Sequence, residues 1–241
     1  MNKRIYSTKQ DVALEFANFF AELVKDKDVF HVALSGGSTP KIVFEMLAIK
    51  FKDTIDWSKI HFYWGDERCV PPTDEQSNYK MTVDYLFLKI EVPKDNIHRI
   101  LGESNPQREA FRYANLLEIY LDRVAGIPQF DLVILGMGSD GHTASIFPYE
   151  IALWEAKEHC RVATHPETDQ KRITITGGLI NHAKEVAFLV TGADKAEKVA
   201  EIINREGDYG TYPAALVSPM SGNLHWFLDA DAAQGISQEQ V

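Results

Sequence analysis

Four short apolar runs, each ending in a glycine-rich or charged turn and each followed by polar or helical sequence, limit this chain more than any other feature. Residues 29–34 run into Ser35-Gly36-Gly37-Ser38-Thr39-Pro40, and 60–64 run into Gly65-Asp66-Glu67-Arg68. Residues 130–135 run into Gly136-Met137-Gly138-Ser139-Asp140-Gly141-His142, and 186–191 into Gly192-Ala193-Asp194-Lys195. Between them lie segments of helical period. Val12, Phe16, Phe19, Phe20 and Leu23 predict a helix over 9–25, and Phe111, Ala114, Leu117, Leu121 and Val124 predict another over 106–124. Pro40 suits a first helical turn with Thr39 as N-cap, and 41–50 continue that helix. Further helices are expected over 78–88 and 194–204, and further strands over 172–176 and 224–228.

Strands alternating with helices predict an α/β fold: an open, mostly parallel, Rossmann-like sheet with helices on both faces. No repeat, low-complexity stretch or Pro/Ser/Gly linker divides the sequence, so residues 1–241 read as one domain. The four turns would then share one edge of the sheet, where such folds bind ligands.

Each turn admits a plain reading beside a chemical one. Ser35 to Pro40 fits a tight strand–helix turn. It equally fits an anion cradle, because Gly36 and Gly37 let backbone N–H groups approach closely, the helix N-terminus favours negative charge, and Ser38 and Thr39 carry hydroxyls. Residues 136–141 are formally G-x-G-x-x-G, yet Pro148 interrupts the long helix a dinucleotide site requires. That turn reads better as a device presenting Asp140 and His142, the latter able to act as base and then acid near neutrality. Asp66, Glu67 and Arg68 would pass as a surface ion-pair cluster in isolation; beside the other turns, Arg68 becomes a partner for an anion or oxyanion. Arg172 and Lys195 are solvated charges or anion ligands. Lys195, in a first helical turn, opposes the helix dipole unless an anion is bound.

Lys plus Arg number 25 against 35 Asp plus Glu, a net charge of −10, which argues against a nucleic-acid footprint but not against one cationic pocket. No run approaches a membrane span. The N-terminus lacks the apolar stretch of a signal peptide, and the two cysteines, Cys69 and Cys160, make no disulfide framework, so the cytoplasm is expected. HExxH, CxxC, EF-hand and GxSxG patterns are absent.

Taken in order, SGGSTP (35–40), GDERCVPPTDEQSNYKM (65–81), LGMGSDGHTASIFP (135–148), RITIT (172–176), INHAKEVAFLVTGADKAEKV (180–199) and LHWFLDADAA (224–233) resemble the 6-phosphogluconolactonase family over almost the whole chain. The wider superfamily includes glucosamine-6-phosphate deaminases. Those typically have Met-Asp-Glu-Tyr in place of Gly65 to Arg68, and Ile-Ala-Phe-Asn-Glu in place of Thr143 to Phe147. The resemblance implies a glucosamine-6-phosphate deaminase-like fold and hydrolysis of 6-phospho-D-glucono-1,5-lactone in the pentose phosphate pathway. It implies a phosphorylated sugar lactone as small-molecule partner, with no cofactor and no catalytic metal. His142 would be the general base, with Asp140 orienting its imidazole or binding sugar hydroxyls. Arg68 would face the oxyanion, with Asp66 and Glu67 holding it or the sugar. Ser35 to Thr39, Arg172 and Lys195 would bind phosphate. A deaminase and a non-catalytic sugar-phosphate sensor are the competing readings. The polar tail from Gln234 to Val241 is expected to fray.

Overall fold

The structure, a computed structural model, describes residues 1–237. Its strands are β1 (Asn2–Tyr6), β2 (Phe30–Leu34), β3 (Ile60–Trp64), β4 (Asp66–Arg68), β5 (Arg123–Val124), β6 (Ile127–Pro128), β7 (Leu132–Leu135), β8 (Cys160–Thr164), β9 (Lys171–Ile175), β10 (Glu185–Val190) and β11 (Leu224–Asp229). The α-helices are α1 (Lys9–Val24), α2 (Ser38–Lys50), α3 (Asn78–Thr82), α4 (Pro106–Tyr120), α5 (Gly177–Asn181) and α6 (Ala196–Asn204).

Six strands form one sheet in the order β1-β11-β10-β7-β2-β3, and every pairing in it is parallel. From β2 the chain steps outward to β3; from β7 it steps the other way, through β10 to β11. Right-handed crossovers travelling in opposite directions lie on opposite faces. This sends α1 and α2, which pack on each other, to one face and α6 to the other. The strand order reverses between β2 and β7, which pair only at Val32↔Leu132 and Ala33↔Val133. Beyond that short contact the two strands open into a crevice at their carboxyl ends.

Burial on both faces explains the sequence of the inner strands. Every residue of β7 and β11 is buried, as are Val186 to Val190 of β10. Phe188 stacks on Trp226 at 4.1 Å, and Phe16 of α1 meets Phe227 edge-on at 5.2 Å. α1 starts with a reciprocal cap: Asp11 N–H donates to Thr8 Oγ1 (3.2 Å), and Thr8 N–H donates to Asp11 Oδ2 (3.0 Å).

Several expectations are corrected. The RITIT segment is not in the parallel sheet. It forms β9 of a separate antiparallel sheet, β4-β9-β8, so Gly65 to Arg68 is strand as well as turn. Thr39 does not cap α2; Gly37 does, and Thr39 lies inside the helix with its hydroxyl 2.8 Å from that of Thr191. α4 ends at Tyr120 and gives way to a β5–β6 hairpin, and Phe111, expected in the core, is 72% exposed. The helix expected over 78–88 is α3 plus one wider turn over Val83–Phe87, closed by Leu88 N–H donating to Val83 O. β1 was not foreseen. Of the tail expected to fray, residues 238–241 lie outside the described residues. Gly235 and Ser237 are held instead, both by the Asn204 amide.

At the opposite end of β2 and β3, His31, His61 and His98 cluster. His61 Nδ1 is 3.0 Å from His98 Nε2, and His98 stacks on Tyr63 with the Tyr120 ring tilted against it. Burial, then the charges of His61 and His31, push His98 from 6.5 down to about 4, against Asp95. Burial also lowers His31 and His61, Asp131 opposing it at His31. The unfolded chain therefore takes up protons that the folded one refuses, and stability present above pH 6.5 is lost as pH falls toward about 4. Urea unfolding midpoints should drop between about pH 7 and about pH 4.5, and the drop should shrink in His98→Phe. An equal drop in both proteins would acquit this cluster.

Candidate active site

A cavity of about 250 Å³ occupies the crevice. Its wall includes Ser35, Gly36, Gly37, Ser38, Thr39, Asp66, Arg68, His142, Arg172 and Lys195, ten of the residues that sequence reasoning singled out. Four strand ends deliver nine of them: β2 the glycine loop, β7 the histidine turn, β10 the approach to Lys195, and β3 the chain that continues into β4; Arg172 comes from β9 of the antiparallel sheet. Asp140 reaches the site through His142, and Glu67 does not line it.

Alternation along β4 explains the separation of Glu67 from its neighbours. Successive side chains of a strand face opposite sides, so Asp66 and Arg68 share one side and Glu67 takes the other. Glu67, 2% exposed, accepts from the N–H groups of Arg68, Asn78 and Tyr79 (2.8 Å each) and from Ser77 Oγ (3.0 Å). Burial raises its pKa, with those N–H donors opposing the rise. A carboxylate at the start of α3 complements the helix dipole and fixes that segment. Neither Glu67 nor Asp66 forms an ion pair with Arg68 among the described residues; its Nη1 donates to Gln76 O at 2.6 Å.

Across the antiparallel pair, Arg68 stands directly opposite Arg172. Like charges in that position are destabilising. Both Nε–H groups are buried and lack a hydrogen-bond partner among the described residues. Burial lowers the Arg172 pKa, Arg68 adds to that, and Asp66 opposes it. Two cationic forks without anionic partners, beside a helix start that no side chain caps, make a site for an anion. Lys195 lies at the N-cap of α6, and Asp194, with Oδ2 3.0 Å from its Nζ, eases its conflict with the helix dipole.

In the histidine turn, Asp140 Oδ1 is 2.6 Å from His142 Nδ1 and 3.1 Å from the His142 backbone nitrogen. Burial pushes the Asp140 carboxyl up, but the hydrogen bonds and charge of His142 prevail and hold it below its ordinary range. With Nδ1 engaged, Nε2 is the nitrogen left for a ligand. The turn is tight: a Cβ on Gly138 would lie 2.2 Å from His142 Nδ1, and Gly141 has φ +83°. Phe147 is fully buried against His142 (ring centroids 4.6 Å apart), with the Arg172 guanidinium 5.6 Å from its ring centre.

Asn78 and Thr191 of the wall, and Ser145 behind it, were missed as site residues. Asn78 donates to Asp66 O at 2.9 Å and covers Gly36, where a Cβ would fall 1.9 Å from Asn78 Oδ1. Ser145 donates to Asp66 Oδ2 at 2.6 Å from behind the wall, and Thr191 meets Thr39. Only the paired serine–asparagine after a proline-rich loop hinted at Asn78; the other two act through long-range packing. Among the described residues no group of three or more His, Cys, Asp or Glu is placed to hold a metal ion. No helix among them is long and apolar enough to cross a membrane.

Residues 6–226 match the model of the glucosamine-6-phosphate isomerases/6-phosphogluconolactonase family, and the chain belongs to that family. Within it, the curated relatives point to the lactonase side. The chain is 44% identical to 6-phosphogluconolactonase of Treponema pallidum, over 84% of each chain. It is 41% identical to that of Aggregatibacter actinomycetemcomitans over 97% of this chain and 99% of the relative. The crystal structure of devB protein superposes with a TM-score of 0.93 at 42% identity, covering 98% of this chain and 99% of that one. 6-phosphogluconolactonase from Trypanosoma brucei superposes at 0.88 and 28% identity, covering 98% of both. A monomeric glucosamine-6-phosphate deaminase at 19% identity and TM-score 0.83 shares the fold.

Inorganic phosphate should raise the melting temperature of the protein, by a stabilisation of about 1.4 kcal/mol at ten times its Kd. Gly36→Ala, which drives Asn78 from its place, and Arg172→Ala should each weaken that response severalfold. An undiminished phosphate response in both variants would move the anion elsewhere.

Proposed function

We propose that this chain hydrolyses 6-phospho-D-glucono-1,5-lactone to 6-phospho-D-gluconate, the second step of the pentose phosphate pathway, as one α/β unit working in the cytoplasm. The relatives' activity supports the substrate. The observation that carries the chemistry is an Asp140–His142 pair sharing one cavity with two arginines that lack anionic partners.

In this reading His142 Nε2 takes a proton from the attacking water as its oxygen bonds to the lactone carbonyl carbon. The carbonyl oxygen becomes an oxyanion, met by Arg68. Asp140 holds the imidazole by Nδ1 and balances the charge it acquires. Collapse of the tetrahedral intermediate breaks the ring C–O bond, and His142 returns its proton to the leaving ring oxygen. One histidine thus serves both half-steps and ends as it began. The phosphate sits on the backbone and hydroxyl groups of Ser35 to Ser38, with Arg172 and Lys195 closing over it. Thr39 supports that loop through Thr191. Asp66, held by Ser145 and Asn78, faces the sugar hydroxyls. The mechanism calls on no cofactor.

The test is a coupled assay in which glucose-6-phosphate dehydrogenase generates the lactone and its disappearance is followed above the spontaneous rate. His142→Ala should lower kcat by about 10²–10⁴-fold with phosphate binding retained. Lys195→Ala should instead raise KM, by about ten- to a hundredfold for a lost charged hydrogen bond of 1.5–3 kcal/mol. A near-native kcat in His142→Ala removes the histidine from its role. A lowered kcat with unchanged KM in Lys195→Ala removes the lysine from the phosphate.

A further inference from the structure

Tyr212 lies outside every motif considered so far, yet it touches two of the elements that build the cavity. A Cβ built on Gly141 would lie 2.7 Å from Tyr212 Cβ and Cγ, so the base of the tyrosine rests on the backbone of the Asp140-Gly141-His142 turn. Two residues further on, Ala214 N–H donates to Gly141 O at 3.1 Å and ties the same segment to the same turn. The far side of Tyr212 meets α6: Lys198 Nζ lies 4.8 Å from the ring centre, and Lys198 is paired with Glu201 at 3.0 Å. Polar contact with Tyr212 also raises the Lys198 ammonium above its ordinary range and lowers the Glu201 carboxyl below its own. Lys198 is three residues from Lys195, the spacing that puts two side chains on one helical face.

We propose that Tyr212 is a positioning residue: its ring, seated on Gly141 and braced by Lys198 of α6, fixes the turn that presents His142 relative to the helix start that presents Lys195. The turn contains Gly141 at positive φ, and its internal backbone-to-backbone closure is Gly141 N–H donating to Gly138 O (3.0 Å) and Gly138 N–H donating to His142 O (2.9 Å), with Asp140 Oδ1 accepting from His142 N–H (3.1 Å) beside them. Gly138 admits the His142 ring to the turn, and Gly141 admits the Tyr212 ring. Tyr212 does not line the cavity, so it acts through the placement of His142. This inference rests on the catalytic reading of His142.

The experiment compares Tyr212→Ala and Tyr212→Phe with the unaltered chain by two readouts. One is kcat and KM for the lactone. The other is the downfield proton signal of the His142–Asp140 hydrogen bond, identified by its loss in His142→Asn. Tyr212→Ala should lower kcat about ten- to a hundredfold, the scale of a small misplacement of a catalytic group. It should change KM far less, and should shift or broaden the His142 signal. Tyr212→Phe keeps the ring on Gly141 and should restore both kcat and signal. A folded Tyr212→Ala protein with native kcat and an unmoved signal overturns the proposal, as does a Tyr212→Phe protein impaired as deeply as the alanine variant. Where the alanine variant does not fold, Tyr212→Leu is judged by the same criteria. The proton signal needs no turnover. A wild-type chain inert toward the lactone would therefore defeat the activity while the signal still decides the placement.

Discussion

In a parallel sheet every strand ends at the same edge, and here that constraint assembles the site. β2, β3, β7 and β10 each end in buried apolar residues and then release a turn rich in polar residues and glycine. Because strand order reverses between β2 and β7, connections leave that point toward opposite faces and no helix covers it. The glycine loop and the histidine turn therefore border one crevice although about a hundred residues separate them in sequence. The antiparallel sheet of β4, β9 and β8 forms the remaining wall and brings two arginines opposite each other.

Electrostatics give that wall its meaning. The chain carries a net charge of −10, so its long-range field opposes an anionic ligand and binding must come from local groups. The fold supplies them by sorting its carboxylates. Glu67 is turned away to hold α3, and the Asp66 carboxylate accepts from Ser145 Oγ at 2.6 Å and from Asn78 Nδ2 at 3.4 Å. Asp140 is engaged by His142. Among the described residues, Arg68 and Arg172 line the cavity without a carboxylate partner. An anion in the cavity offsets the cross-strand repulsion between the two guanidinium groups, which is a stronger constraint on the ligand than the charge total.

Much of this was legible in the sequence because it is local. Continuous apolar runs followed by glycine or charge mark the inner strands, and ten residues expected at the site do line one cavity. What escaped was relational. β1 is a polar edge strand, Asn-Lys-Arg-Ile-Tyr, with no apolar run to announce it; it exists because β11 offers a partner. Asp66-Glu67-Arg68 looks like a charged turn until β9 pairs with it, and only pairing fixes which of the three faces the cavity. Phe111 obeys the helical period and still points to solvent, because α4 packs on β8, β9 and β6 with another side. Asn78 and Ser145 matter through the atoms they meet from distant parts of the chain.

The deaminase likeness narrows the question to a few positions, since that fold recurs at 19% identity with a TM-score of 0.83. In the deaminase pattern the residues after Asp-Gly-His are Ile-Ala-Phe-Asn-Glu; in this chain they are Thr143 to Phe147. Ser145 stands where that pattern has phenylalanine, and its hydroxyl fixes the Asp66 carboxylate. Phe147 stands where that pattern has glutamate, and its ring lies under the Arg172 guanidinium and beside His142. A carboxylate at 147 would neutralise Arg172 from within and draw on the same histidine. An aromatic ring contributes only its quadrupole, about 0.5–2 kcal/mol, and leaves the arginine's full charge for the ligand. Similarly, Arg68 stands where that pattern has tyrosine, which doubles the cation on this wall. Phe147 and Arg68 both leave this wall positive, which favours an anionic ligand.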